Sequence, residues 1–181
     1  MNLFDITLKE ATPSDAEVIF RAIDVHRDDL REWLPFVDSL QTEADEQAYL
    51  ETVCSVPESE RNTVFMIQYK GEFAGLVGYV SSDFQNRRTE IGYWLLPAFR
   101  GKGIMTRCVK KLCWIAIDDR GMHRIQIRCA TGNAASNAIP QRLNFRLEGT
   151  ERNGELLINN RYADINVYSL LQDEADNWSE D

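Results

Sequence analysis

A mixed α/β fold, with antiparallel hairpins set around one parallel strand-helix-strand unit, is predicted by three features of this 181-residue chain. Residues 63–69 and 73–80 are rich in β-branched and aromatic side chains and are joined by Lys70-Gly71, a hairpin signal. The apolar run Glu90-Ile91-Gly92-Tyr93-Trp94-Leu95-Leu96 enters a loop with two glycines and two cations, then an amphipathic helix, then a further strand at Arg124 to Thr131. A strand-helix-strand alternation of this kind pairs its strands in parallel. Two last strand-like segments, residues 145–153 and 156–171, read as a hairpin joined near Asn153-Gly154.

The remaining elements follow in order. Phe4, Ile6 and Leu8 alternate with polar neighbours as a first strand. Thr12-Pro13-Ser14-Asp15 opens a helix, with Thr12 as N-cap and Pro13 in its first turn. A second helical piece runs from His26 to Trp33 and stops before Pro35. Thr42 caps a third helix carrying Ala48, Leu50 and Val53, with Pro57 at its exit. Strand Thr89 to Leu96 completes a meander, and the helix after the glycine loop ends near Gly121. Asn133 starts a short helix to about Leu143. Within it Pro140 removes the N–H that the carbonyl of Ser136 would accept, so a kink or early break is expected there. Residues 1–171 read as one domain and residues 172–181 as an acidic tail.

The formal charge is −9, unevenly placed. Residues 1–60 hold fifteen acids against four basic residues, whereas residues 86–128 hold ten basic residues against three acids. An acidic shell around a basic block suits an anionic cofactor in the middle and a cationic substrate at the rim. Nucleic acid is disfavoured, because the basic residues sit inside one strand-loop-helix unit of an acidic chain. Cys54, Cys108, Cys113 and Cys129 form no CxxC pair, and with only His26 and His123 no metal-ligand set is assembled. Reduced thiols, no leader-like N-terminus and no membrane-length apolar run predict a cytoplasmic protein.

The loop Leu95-Leu96-Pro97-Ala98-Phe99-Arg100-Gly101-Lys102-Gly103-Ile104-Met105-Thr106 carries the chemistry. A strand-to-helix turn presents bare N–H groups and a positive dipole end to an anion, most naturally a diphosphate. A P-loop and a dinucleotide fingerprint both fail, for lack of Lys-Ser/Thr at the helix start and of a third glycine at Thr106. Arg100-x-x-Gly103 instead resembles the pyrophosphate loop of the GNAT acetyltransferases, with Met105 in place of that family's second small residue. Asn133-Ala134-Ala135-Ser136-Asn137, eleven residues before Asn144-Phe145, resembles the same family's Asn-x-x-Ser helix start and following strand, Asn144 replacing the usual Gly. The stretch His26 to Asp38, with Trp33-Leu34-Pro35, and the ending Asn160 to Leu170 are similar to the Rim-type branch, the ribosomal-protein N-terminal acetyltransferases.

The resemblance implies the GNAT fold: a mostly antiparallel twisted sheet, helices on both faces, and a splayed parallel strand pair that holds the cofactor. It also implies direct acetyl transfer from acetyl-CoA to an amine. Trp94, Leu95 and Leu96 would pair with the pantetheine arm. Arg100, Gly101, Lys102, Gly103, Ile104, Met105 and Thr106 would hold the diphosphate, and Asn133 and Asn137 the pantetheine region. Ser136 would protonate the departing thiolate, with Tyr168 as fallback, and Glu155 would be the base, with Glu90 as competitor. An α-amine has a pKa near ~7.7–8.0 against ~10.4 for lysine, so a modest carboxylate base suits an N-terminal amine better. The expected acceptor is therefore a protein N-terminus. The alternatives are a small cationic amine such as a polyamine or aminoglycoside, or acetyl-CoA binding without transfer. Trp33 and Phe36 are candidates for the acceptor mouth, and an edge strand near the C-terminus allows a homodimer.

Overall fold

The structure, a computed structural model, describes residues 5–175; Phe4 and residues 176–181 of the acidic tail lie outside the described residues. Strand β1 (Ile6–Glu10) leads to Thr12, which stands extended before a 3-10 turn (Pro13–Asp15) and helix α1 (Ala16–Val25). The Thr12 N–H donates to Asp15 Oδ2 at 3.0 Å, so the carboxylate closes the turn that Pro13 begins. Helix α2 (Arg27–Leu30) is shorter than the piece expected through Trp33. Helix α3 (Glu43–Ser55) starts on a reciprocal cap: Asp45 N–H donates to Thr42 Oγ1 at 3.2 Å, and Thr42 N–H to Asp45 Oδ2 at 2.8 Å.

Six further strands complete one sheet: β2 (Val64–Tyr69), β3 (Glu72–Asp83), β4 (Arg88–Leu95), β5 (Arg124–Ala130), β6 (Arg146–Leu157) and β7 (Arg161–Leu171). The order is β1-β2-β3-β4-β5-β7-β6. Lys70 and Gly71, with φ of 54° and 84°, make the β2–β3 turn that their sequence signals. Every neighbouring pair is antiparallel except β4 and β5, which are parallel and joined by helix α4 (Ile104–Trp114) and a π-helical turn (Ile115–Asp119). Helix α5 (Ala134–Arg142) joins β5 to β6, and a short α6 (Gln172–Ala175) follows β7.

Strand alternation sends side chains to two layers. Ile67 and Val77 face one layer with Ile104, Cys108, Val109 and Leu112 of α4; Met66 and Leu76 face the other with Ile19, Ile23 and Leu50 of α1 and α3. The helices therefore cover both faces. Burying each of these isoleucine, leucine, valine and methionine side chains contributes roughly 1.5–3 kcal/mol. Cys108, Cys113 and Cys129 are buried and all four cysteines are free thiols.

Two sequence expectations need correction. The final hairpin does not turn at Asn153-Gly154. Strand β6 runs through them as a bulge, with Glu151 opposite Ile165 and Glu155 opposite Ala163, and the turn lies at Asn159 and Asn160, where φ is 59° and 57°. Asn153 does take a left-handed φ of 52°, and a Cβ on Gly154 would sit 2.9 Å from Ile165 Cγ1, so the pair serves the bulge instead. Nor does α5 break at Pro140: it continues to Arg142. The Ser136 carbonyl that Pro140 leaves without a helical partner accepts a hydrogen bond from the Tyr93 hydroxyl at 3.0 Å. Asn144, with φ of 58°, then ends the helix in the left-handed conformation its sequence position suggests.

Gly75 has a φ of 151°, and a Cβ there would lie 2.2 Å from the Trp94 carbonyl oxygen of β4. Gly75→Ala should lower the unfolding free energy by about 3 kcal/mol or more, read by urea denaturation; a loss under ~0.5 kcal/mol would contradict the contact. Glu46 of α3 is 4% exposed, and burial raises its carboxyl from an ordinary value of 4.5 to about 7. The folded state thus holds a proton that the unfolded state releases, so this contribution is intact below pH 4.5 and is lost as pH rises through about 7. Stability relative to Glu46→Gln should fall across that range in pH-dependent denaturation, and a flat difference would refute it.

Candidate active site

The β4–β5 ladder has three rungs, Arg88 with Arg124, Thr89 with Ile125 and Glu90 with Gln126, and then ends. Beyond Glu90 the strands diverge. The inner edge of β4 at Tyr93, Trp94 and Leu95 faces an opening instead of a strand. On the far side of that opening, Asn133 caps α5: the Ser136 N–H donates to Asn133 Oδ1 at 3.0 Å. Tyr93 bridges the two sides through its bond to the Ser136 carbonyl. Ser136 Oγ lies 3.1 Å from Cys129 Sγ and 3.5 Å from the Tyr93 hydroxyl. Burial holds the Tyr93 phenol well above its ordinary pKa, so it remains a proton-bearing donor.

A cavity of about 590 Å³ extends from this opening to the glycine loop. Its lining includes Trp94, Leu95, the whole run Arg100 to Thr106, Asn133 and Ser136. Gly101 and Gly103 have φ of 73° and 70°, values that favour glycine, and Gly103 caps α4 with no side-chain hydrogen bond. The first-turn N–H groups of α4 are therefore left to face an anion. Thr106 Oγ1 is buried and without a hydrogen-bond partner among the described residues, an orphan that a phosphate oxygen would satisfy. These features fit the diphosphate of a CoA molecule. Ile104 and Met105 are buried in the core, which leaves only their backbone to face such a group.

Of the expected cofactor residues, Arg100 lines the cavity with its charge already paired, and Leu96 and Asn137 lie outside the lining. The Arg100 guanidinium is already clasped by the Asp29 carboxylate of α2, through Nη1 to Oδ1 at 3.1 Å and Nη2 to Oδ2. Leu96 is 7% exposed, lies outside the cavity lining, and donates its N–H to Ala74. Asn137 spends its amide within the protein: Nδ2 donates to Ala130 O and Asn133 O, and Oδ1 accepts from Asn166 and Tyr168. It fastens α5 to β7. That bond also commits the Tyr168 hydroxyl, which faces neither cavity.

A second cavity, of about 800 Å³, opens on the other side of the same strands. Trp33, Leu34, Tyr93, Trp94, Asn133 and Ser136 line both, so the two meet at the Tyr93–Ser136 bridge. Glu155 and Glu90 both line the second cavity. Glu155 is exposed and makes no ion pair among the described residues; the β6 bulge sets its register. Glu90 is half-buried and accepts from Gln126 Nε2 at 3.3 Å; burial raises its carboxyl pKa, with Arg128 opposing and Glu155 and Glu151 adding to the rise. Trp33 and Phe36 also line this cavity, and the Trp33 ring lies over Gly132, where a Cβ would meet it at 3.1 Å. Sequence reasoning missed the Tyr93 hydroxyl, Glu46 and Asn62, which belong to the same walls. For Tyr93 the signal was present: Pro140 announces a carbonyl at Ser136 in need of a donor.

The chain matches the model of the acetyltransferase (GNAT) domain over residues 5–146. It is 34% identical over 175 residues to the putative ribosomal N-acetyltransferase YdaF of Bacillus subtilis, covering 93% of this chain and 92% of that protein. Among solved structures it resembles RimL, a ribosomal alpha-N-protein acetyltransferase solved with coenzyme A, at a TM-score of 0.89 and 25% identity over 94% of this chain and 96% of that one. It also resembles the microcin self-immunity acetyltransferase MccE, solved with acetyl-CoA and AMP, at 0.85 and 30% over 92% of each chain. The match spans most of the chain, and the splayed strands and bare helix start fit the cofactor. The chain thus belongs to the GNAT acetyltransferase family, as an acyltransferase of its Rim-type branch that uses acetyl-CoA.

Proposed function

We propose that the enzyme acetylates the N-terminal α-amine of a protein, a ribosomal protein by analogy with its relatives. The observation that carries this reading is the meeting of two cavities at Tyr93 and Ser136, one leading from the diphosphate loop and the other lined by carboxylates. Acetyl-CoA supplies an activated acyl group on a thiol leaving group. The α4 N-terminus and Thr106 hold its charged end. The inner edge of β4 offers backbone N–H groups to the developing oxyanion.

Glu155 serves as the base. Its exposed position and freedom from ion pairing leave the carboxylate available to an incoming ammonium and to solvent. An α-amine needs no more, since about a tenth of such groups are neutral at pH 7. Ser136 Oγ donates the proton to the departing sulfur, and Tyr93 positions it by tying α5 to β4. The burial of Glu90 supports a second reading, in which that carboxyl takes the proton. A second copy of the chain could pair at the β6 edge, beside exposed Leu147, Leu156 and Tyr162.

Glu155→Gln should lower kcat on the order of a hundredfold or more while acetyl-CoA affinity stays within about twofold. Ser136→Ala should lower kcat by about tenfold or more, again without a change in cofactor affinity. If Glu90→Gln is the slower variant and Glu155→Gln turns over normally, the base assignment moves to Glu90. The acceptor is tested with two peptides of one sequence, one with a free N-terminus and one blocked at the N-terminus with an internal lysine. Only the free peptide should be acetylated; turnover of the blocked peptide, or of neither, would contradict the α-amine assignment.

A further inference from the structure

The acceptor cavity is lined by four carboxylates, Asp45, Glu46, Glu90 and Glu155, against one guanidinium, Arg128, which the carboxylate of Glu151 already holds. Most of this negative charge is accounted for. Asp45 accepts the N–H groups of Gln41 and Thr42 at 3.0 and 2.8 Å. Glu90 accepts from Gln126, and Glu155 stands where the reacting amine would arrive. Glu46 is different. It is 4% exposed, yet its Oε1 has no hydrogen-bond partner among the described residues, and the same is true of the buried Oδ1 of Asn62.

Asn62 Oδ1 is an acceptor, and so is Glu46 Oε1 once the carboxyl is charged; both residues line this cavity. Two unmet acceptors in one cavity call for a donor from outside, since a buried polar atom left unpaired costs about 1–3 kcal/mol. Tyr49 and Phe36, which are 49% and 45% exposed, line the same cavity and offer aromatic faces. A carboxylate, an amide oxygen and aromatic rings are the chemistry that holds an organic cation. Burial without a counter-ion also keeps Glu46 short of its charged form, a condition that an arriving cation would reverse.

We propose that Glu46 and Asn62 form a cation subsite in the acceptor cavity, which takes an ammonium group that the acceptor carries in addition to its reacting amine. This rests on the reading of that cavity as the acceptor's. A lysine side chain close to a protein N-terminus and the second ammonium of a polyamine share this chemistry. The subsite selects acceptors by charge at a distance from the bond being made.

The test measures binding calorimetrically with CoA bound, so that no acetyl group is available. One arm compares two N-terminal peptides that differ only by lysine or norleucine at the third position; the other compares 1,4-diaminobutane with 1-aminobutane. In at least one arm the dication should bind about tenfold tighter or more, from a charge-assisted hydrogen bond. Tightening in the peptide arm identifies a basic protein N-terminus, and tightening in the diamine arm a polyamine. Glu46→Gln, checked for an unchanged fold by its melting profile, should erase the preference, and Asn62→Asp should enlarge it. Equal binding of dication and monocation in both arms, or a preference that survives in Glu46→Gln, would overturn the subsite. Acetylation of the norleucine peptide, scored separately with acetyl-CoA, tests the α-amine reading on its own.

Discussion

The site depends on one hydrogen bond, from the Tyr93 hydroxyl to the Ser136 carbonyl. Two strands that run parallel would ordinarily continue to pair, but β4 and β5 separate after Glu90 and Gln126. Something must span the opening that results. Tyr93 does so, and it can because Pro140 has no N–H to occupy that carbonyl. The proline that would ordinarily weaken a helix here frees the acceptor by which α5 is tied to β4. The same contact brings Ser136 to the point where the two cavities meet.

The charge distribution has a similar logic. The acidic N-terminal third supplies α3 and the residues around it, which line the second cavity, the proposed acceptor site. The basic middle of the chain supplies the diphosphate loop and α4. Helices α3 and α4 pack on opposite faces of the sheet, so the sequence asymmetry becomes a spatial one, with acidic residues on one face and basic ones on the other. Asp29 complicates this division by holding Arg100, so in the proposed diphosphate site backbone N–H groups and Thr106 would carry more of the binding than a count of cations suggests.

Features set by local chemistry were legible in the sequence. The caps at Thr42 and Asn133, the turn at Lys70-Gly71 and the helix end at Asn144 each depend on a few adjacent residues. The parallel unit was legible because chain handedness leaves little choice. Features set by distant partners were not. Asn153-Gly154 carries a turn signature but is used as a bulge, and the choice depends on how β6 registers against β7. Asn137 lies next to the motif that binds cofactor in the resembling family, yet its amide is claimed by Asn166 and Tyr168, about thirty residues away. Glu46 looks like one more solvated acid on a polar helix; only tertiary packing buries it.

The account stands on the claim that the splayed strands join a cofactor site to an acceptor site at Ser136. The most direct measurement is a crystal structure with CoA and an unreactive N-terminally methylated peptide soaked together. The account predicts the cofactor sulfur beside Ser136 on the inner edge of β4, and the peptide terminus in the cavity lined by Glu155. A cofactor whose thiol lies away from the Tyr93–Ser136 bridge, or a peptide bound outside that cavity, would contradict it.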